Sequence, residues 1–141
     1  FAPEGFAPAV VPPGGIRPIE ELPCGELSLR ERFVEGMPKV RETVFLHVPS
    51  ATLLVSDLLF HFPAVPGVWP RVMARLLGIH GPPAVSRFFR AHVRDRQAFR
   101  RSLERILALD FETALPSHGA PIPSKRDARR ALQRAEPALA R

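Results

Sequence analysis

Tyrosine is missing from this chain, and cysteine, tryptophan and lysine are nearly so. With Cys24 as the single cysteine, no disulfide can form within the chain, which suits a reducing compartment and points to the cytoplasm. No apolar run approaches the roughly 20 residues that cross a bilayer, so a membrane is not an expected partner. No signal peptide is visible. The lack of tyrosine removes one of the residues that stack on bases, and no RNA- or DNA-reading motif is present. Nucleic acid is therefore not an expected partner either. The chain begins with Phe1 rather than Met, and it reads as a piece of a longer polypeptide.

What is present is apolar residues, proline and arginine. The 141 residues are 45% hydrophobic, enough for a sizeable core, and fit one domain or part of one. Seventeen prolines are concentrated in loops, most densely before residue 24. Residues 1–24 read as a Pro/Gly-rich leading segment and 25–141 as a partial domain. The formal charge of +6 is uneven: residues 1–83 carry seven Lys/Arg against eight Asp/Glu, and 84–141 carry thirteen against six. Eighteen of the twenty basic residues are Arg, a bias that GC-rich coding produces without any functional demand. A solvated set of helix faces is the plainer reading of the basic half, ahead of an anionic partner.

Periodicity supplies the elements. Leu27 and Leu29 alternate with polar neighbours over 26–34, the pattern of a half-buried strand. Residues 42–48 are β-branched and aromatic, and Thr52–Ser56 is nearly all apolar; the short Pro49-Ser50 link makes them an antiparallel hairpin. Pro70 to Leu77 fits a helix with Pro at its first position and Gly78 beyond its end. Pro82-Pro83 opens a second helix, with Val85, Phe88, Phe89 and His92 along one apolar face. Asp95 is placed to cap a third, whose buried stripe is Phe99, Leu103, Ile106 and Leu107. Residues 111–117 read as a strand ending at His118-Gly119, and Ser124 with Asp127 opens a last helix over 124–135 in the manner of a capping box. Strand, hairpin, three helices, strand and helix describe an α/β or α+β layered fold.

Two strand ends carry metal-competent side chains. Asp57 closes the apolar run from Ala51, and His118 closes the run from Phe111. Two such ends can meet on one edge of a sheet, where open α/β folds bind ligands. Against this, the plainer reading of the residues alone is Asp57 as a cap on the following Leu-Leu-Phe turn, and His118 also reads as a loop histidine bonded to a carbonyl. His47, inside a strand, and His61, four residues after Asp57, are candidates to orient a ligand from behind; a satisfied structural histidine is the plainer reading of both. His80 reads as a loop residue and His92 as a helix-face residue. Arg87, Arg90, Arg94, Arg96, Arg100, Arg101 and Arg105 could form a phosphate-binding ribbon, although Arg100 and Glu104 also make an ordinary i, i+4 pair. Cys24, in a loop after Pro23, reads as an idle thiol.

The run Glu42-Thr-Val-Phe-Leu-His47, then Thr52-Leu-Leu-Val-Ser-Asp-Leu-Leu-Phe60, then Trp69, Arg75-Leu-Leu-Gly78 and Pro116-Ser-His-Gly119 resembles the second half of a metallo-β-lactamase-like fold over about residues 25–135. It is most similar to a bacterial family of uncharacterised proteins with that fold. The resemblance implies an αββα domain of which this chain is the C-terminal half, an antiparallel hairpin plus helices. It implies Asp57 as a carboxylate bridging two metals and His118 as a ligand of the second, with zinc the expected ion in the full-length protein. No residue matches a catalytic base. The family's Asp usually follows Gly, where this chain has Ser56. The His-x-His-x-Asp-His cluster of the family's first half has no counterpart here, and zinc takes three or four protein ligands. The chain alone is thus expected to be inactive, as part of a metal-dependent hydrolase of unknown substrate. The alternative is a non-catalytic interaction module that binds an acidic partner through its basic helices, and a structural remnant is the third reading. Loss of the first half should leave an apolar sheet edge over 26–34 and 42–56 that pairs with a second copy.

Overall fold

A computed structural model describes residues 24–135. The Pro/Gly-rich segment expected over 1–24 lies outside the described residues except for Cys24, as do residues 136–141. The elements follow the expected order: β1 (Leu29–Phe33), β2 (Thr43–His47), β3 (Thr52–His61), α1 (Val68–Leu77), α2 (Arg87–Ala91), α3 (Arg96–Leu107), β4 (Thr113–Gly119) and α4 (Lys125–Ala135). The fold is mixed α/β, with four strands in one sheet in sequence order. β1, β2 and β3 are antiparallel neighbours, and β4 runs parallel to β3. The three helices between β3 and β4 form the crossover that a parallel pair needs.

Alternation decides which face of the sheet is core. Val44, Leu46, Leu53, Val55 and Ala114 are buried on one face. Phe99, Leu103 and Ile106 of α3 and Ala128, Ala131 and Leu132 of α4 belong to the same buried cluster. Alanines on α4 let that helix approach closely. On the other face Phe45 and Leu54 are only half-buried, and Phe33 and Leu115 are 50% and 39% exposed. They share that face because Phe45 pairs with Leu54 and Leu54 with Leu115.

Several expectations need correction. The strand expected over 26–34 begins only at Leu29, because residues 24–28 turn, with Ser28 in the left-handed region at φ 53°. Leu27 is exposed, and only Val34, just past β1, reaches the core. β3 does not end at Asp57 but continues to His61. α1 begins at Val68, two residues before Pro70; a proline in the first turn removes an N–H that has no helical partner. Gly78 does end the helix, at φ 71°, and its N–H and that of Ile79 close on Arg75 and Ala74. α2 has five residues and starts after Ser86, whose Oγ accepts from the Phe89 N–H at 3.0 Å. So short a helix turns only Phe89 and the preceding Val85 inward. Phe88 is 64% exposed and His92 half-buried, so the four-residue apolar face is not formed.

The third helix follows its expected frame. Asp95 Oδ1 accepts from the Ala98 N–H at 2.9 Å, and Phe99, Leu103 and Ile106 are fully covered, with Leu107 at the margin. Ser124 likewise receives the Asp127 N–H at the start of α4. Cys24 donates weakly to Glu31 at 3.5 Å. Desolvation and that carboxylate push its thiol above the ordinary value, away from the thiolate a nucleophile needs.

Candidate functional site

β3 and β4 run in register from Thr52↔Thr113 to Val55↔Pro116, lose it, and regain it at Phe60↔His118 and His61↔Gly119. Five residue steps on β3 therefore face two on β4, so β3 carries three extra residues in a wide bulge. The same irregularity shows in the burial. Leu58 and Leu59 are adjacent and both fully buried, which breaks the alternation that Leu53 and Val55 follow earlier in the strand.

The bulge frees backbone donors, and Glu42 takes them. Its Oε1 accepts from the Ser56 N–H at 2.8 Å and its Oε2 from the Asp57 N–H at 3.1 Å. Glu42 lies just before β2, where the ladder opposite Ser56 and Asp57 stops, so a side chain replaces the missing strand backbone. Glu42 is a buried acid, and burial pushes its carboxyl above the ordinary value even though the N–H donors pull the other way. Sequence reasoning took Glu42 only as the first residue of a strand. A lone acid opening the β-branched and aromatic run Thr43–His47 was the available signal.

This local geometry brings the two candidate ligands together. His118 Nε2 lies 3.0 Å from Asp57 Oδ1, with each side chain about half exposed. The His118 ring stacks on Phe60, its partner across the ladder, with centroids 5.3 Å apart and planes within 8°. Ser117 Oγ, one residue earlier, donates to the Val55 carbonyl at 3.3 Å and pins the entry to the bulge. Gly119, at φ 104°, closes the turn; a Cβ there would collide with the His61 carbonyl, so the position accepts only glycine. Asp57 thus stands inside a bulged strand, not at a strand end and not as a turn cap, and it still meets His118.

The other histidines are placed elsewhere. His61 directs Nδ1 to the carbonyls of Ala120 and Pro121, at 3.2 and 3.0 Å, and ties down the segment that follows His118. His47 sits at the hairpin, its Nδ1 2.7 Å from Ser50 Oγ, paired with Thr52 at the far end of β3 from His61. Along the arginine ribbon, Arg100 pairs with Glu104 at 3.1 Å and Arg105 with Glu35 at 2.7 Å, so part of its charge is matched internally.

Asp57 and His118 are two side chains of metal-competent chemistry brought within 3.0 Å of each other. Among the described residues no group of three or more His, Cys, Asp or Glu side chains is placed to hold a metal ion.

No protein-family model matches the chain, and no curated protein matches it. Among solved structures it is similar to a metallo-beta-lactamase family protein from Thermus thermophilus, with 22% identity and a TM-score of 0.45. The match covers 79% of this chain and 30% of that protein, so the chain spans under a third of its length.

Proposed function

We propose that this chain is the C-terminal part of a metal-dependent hydrolase of the metallo-β-lactamase-like type, and that Asp57 and His118 supply two ligands of its metal centre. The remaining ligands come from polypeptide outside this chain. One observation carries the reading: the 3.0 Å approach of Asp57 Oδ1 to His118 Nε2 across the bulge. Two ligand atoms at about 2.0–2.1 Å from a tetrahedral zinc stand roughly 3.3 Å apart, so a small opening of this pair would admit the ion. The half-exposed sheet face bearing Phe33, Phe45, Leu54 and Leu115 supports the same reading, because a second layer would cover it.

Within this chain each supporting residue has a definite task. Glu42 fixes the bulge that turns Asp57 toward His118, Phe60 holds the imidazole plane, and Gly119 allows the chain to leave at once. The reaction class implied is metal-assisted hydrolysis, with the substrate open.

Elemental analysis for zinc and manganese decides this, on this chain and on a polypeptide extended upstream to the natural start. The extended protein should hold near-stoichiometric metal, lost in Asp57→Ala and in His118→Ala, while this chain holds far less. A folded, extended protein without metal in excess zinc would overturn the proposal.

A further inference from the structure

α1 is an amphipathic helix turned inside out. Val68, Trp69, Val72, Met73 and Leu76 are all exposed, Trp69 at 76% and Leu76 at 61%, and Ala74 is the one buried residue of the helix. At about 100° per residue these five side chains fill a continuous arc of about 140°, and Ala74 lies diametrically opposite its centre. An apolar face of this kind normally turns to the core; here it turns to solvent. A contiguous exposed patch of large apolar residues marks an interaction surface.

The charge around the helix states what covers it. No Asp or Glu occurs between Asp57 and Asp95, while Arg71, Arg75, Arg87, Arg90 and Arg94 do. Arg71 and Arg75 follow one border of the apolar arc by the same helical count, and both are exposed. Arg87, from the start of α2, donates to the Leu76 carbonyl at 3.3 Å and brings a third guanidinium to the C-terminal end of the face. Each guanidinium has five N–H donors, so one such bond leaves others to meet an anion. The arrangement is an exposed apolar face with a tryptophan, bordered by arginines and carried on a stretch of chain that contains no acid. We propose that α1 docks this chain on an anionic membrane surface, with the apolar arc in the headgroup boundary and the arginines on lipid phosphates. A helix of 10 residues is about 15 Å long, half the hydrocarbon thickness, so it lies along the surface rather than crossing it.

Trp69 is the single tryptophan and there is no tyrosine, so the chain's tryptophan emission reports on this face alone. Titration with phosphatidylglycerol-containing vesicles should shift the emission to shorter wavelength, with little change on pure phosphatidylcholine and a weaker response as salt is raised. Arg71→Ala with Arg75→Ala should weaken vesicle binding about 25-fold, at about fivefold for each arginine near an anionic surface. Leu76→Glu should abolish binding with the circular dichroism unchanged, since Leu76 is exposed. An unshifted emission on anionic vesicles, with the chain folded, would overturn the proposal. So would equal, salt-insensitive binding to neutral vesicles. A blue shift that grows with protein concentration in the absence of lipid would assign the face to a second copy instead.

Discussion

Glu42 holds the backbone on which Asp57 stands, although it is neither of the two candidate ligands. Its carboxylate holds the Ser56 and Asp57 N–H groups that the bulge releases. Replacing Glu42 by Ala leaves those donors without their partner and should cost about 2 kcal/mol, measured by denaturant unfolding. Glu42→Gln should cost less, because one carbonyl oxygen remains to accept. The pH dependence follows from the raised carboxyl. Burial lifts Glu42 above its ordinary 4.5 in the folded state, so between the two values the folded state binds more protons than the unfolded one. Its contribution is then most favourable below pH 4.5 and declines as pH rises toward the folded value. Glu42→Gln should flatten the stability profile across that window. A parallel profile in wild type and variant would show that Glu42 does not titrate there. Asp57 and His118 could be singled out in the sequence as metal-competent side chains, and the structure brings them within 3.0 Å, although Asp57 lies inside β3 rather than at its end. Glu42 could not be, since nothing local distinguishes an acid that caps a bulge from one that opens a strand in solvent.

At the scale of elements, legibility followed how local the determinants are. The α3 frame could be read directly because its cap and its stripe lie on the helix itself: Asp95, then Phe99, Leu103 and Ile106. Asp95→Ala should therefore behave as a simple cap deletion, costing about 1 kcal/mol of stability in chemical denaturation with little change in the sheet. A loss several times larger would mean that Asp95 also holds the turn at Gly36, whose carbonyl accepts the N–H groups of Arg94 and Asp95. β3 could not be read to its end for the opposite reason. The polar pair Ser56-Asp57 looks like a strand terminus until Glu42, far off in sequence, is known to satisfy its backbone. The adjacent Leu58 and Leu59 fit a bulge but equally fit a strand covered on both faces, so they did not decide it. α2 misled in another way: its apolar residues were visible, but which of them face the core depends on neighbours, and the sequence named no buried face for α1. Phe88 and the α1 arc ended outside.

For the whole molecule the question is where the unmatched apolar surface lies. The sequence pointed to an exposed edge over 26–34 and 42–56. β2 is flanked by β1 and β3, and β3 by β2 and β4, so neither is an edge. The outer strand β1 carries Arg30, Glu31 and Arg32, charges of the kind that discourage strand-to-strand pairing. Besides the α1 arc, exposed and half-buried apolar side chains lie on the sheet face opposite α3 and α4, at Phe33, Phe45, Leu54 and Leu115. No helix among the described residues is long and apolar enough to cross a membrane. A chain with one covered and one half-covered sheet face should pair face to face with a second copy at high concentration, because stacking two such faces removes both from water. Sedimentation velocity should then show the boundary moving faster as concentration rises. Phe33→Lys with Leu115→Lys should return it to a monomer without loss of the fold, since both side chains are already substantially exposed. Leu76→Glu, on the other side of the argument, should leave the association unchanged. A sharp monomer boundary at the highest concentration reached, or a dimer indifferent to Phe33 and Leu115 but sensitive to Leu76, would move the self-complementary surface from the sheet to α1.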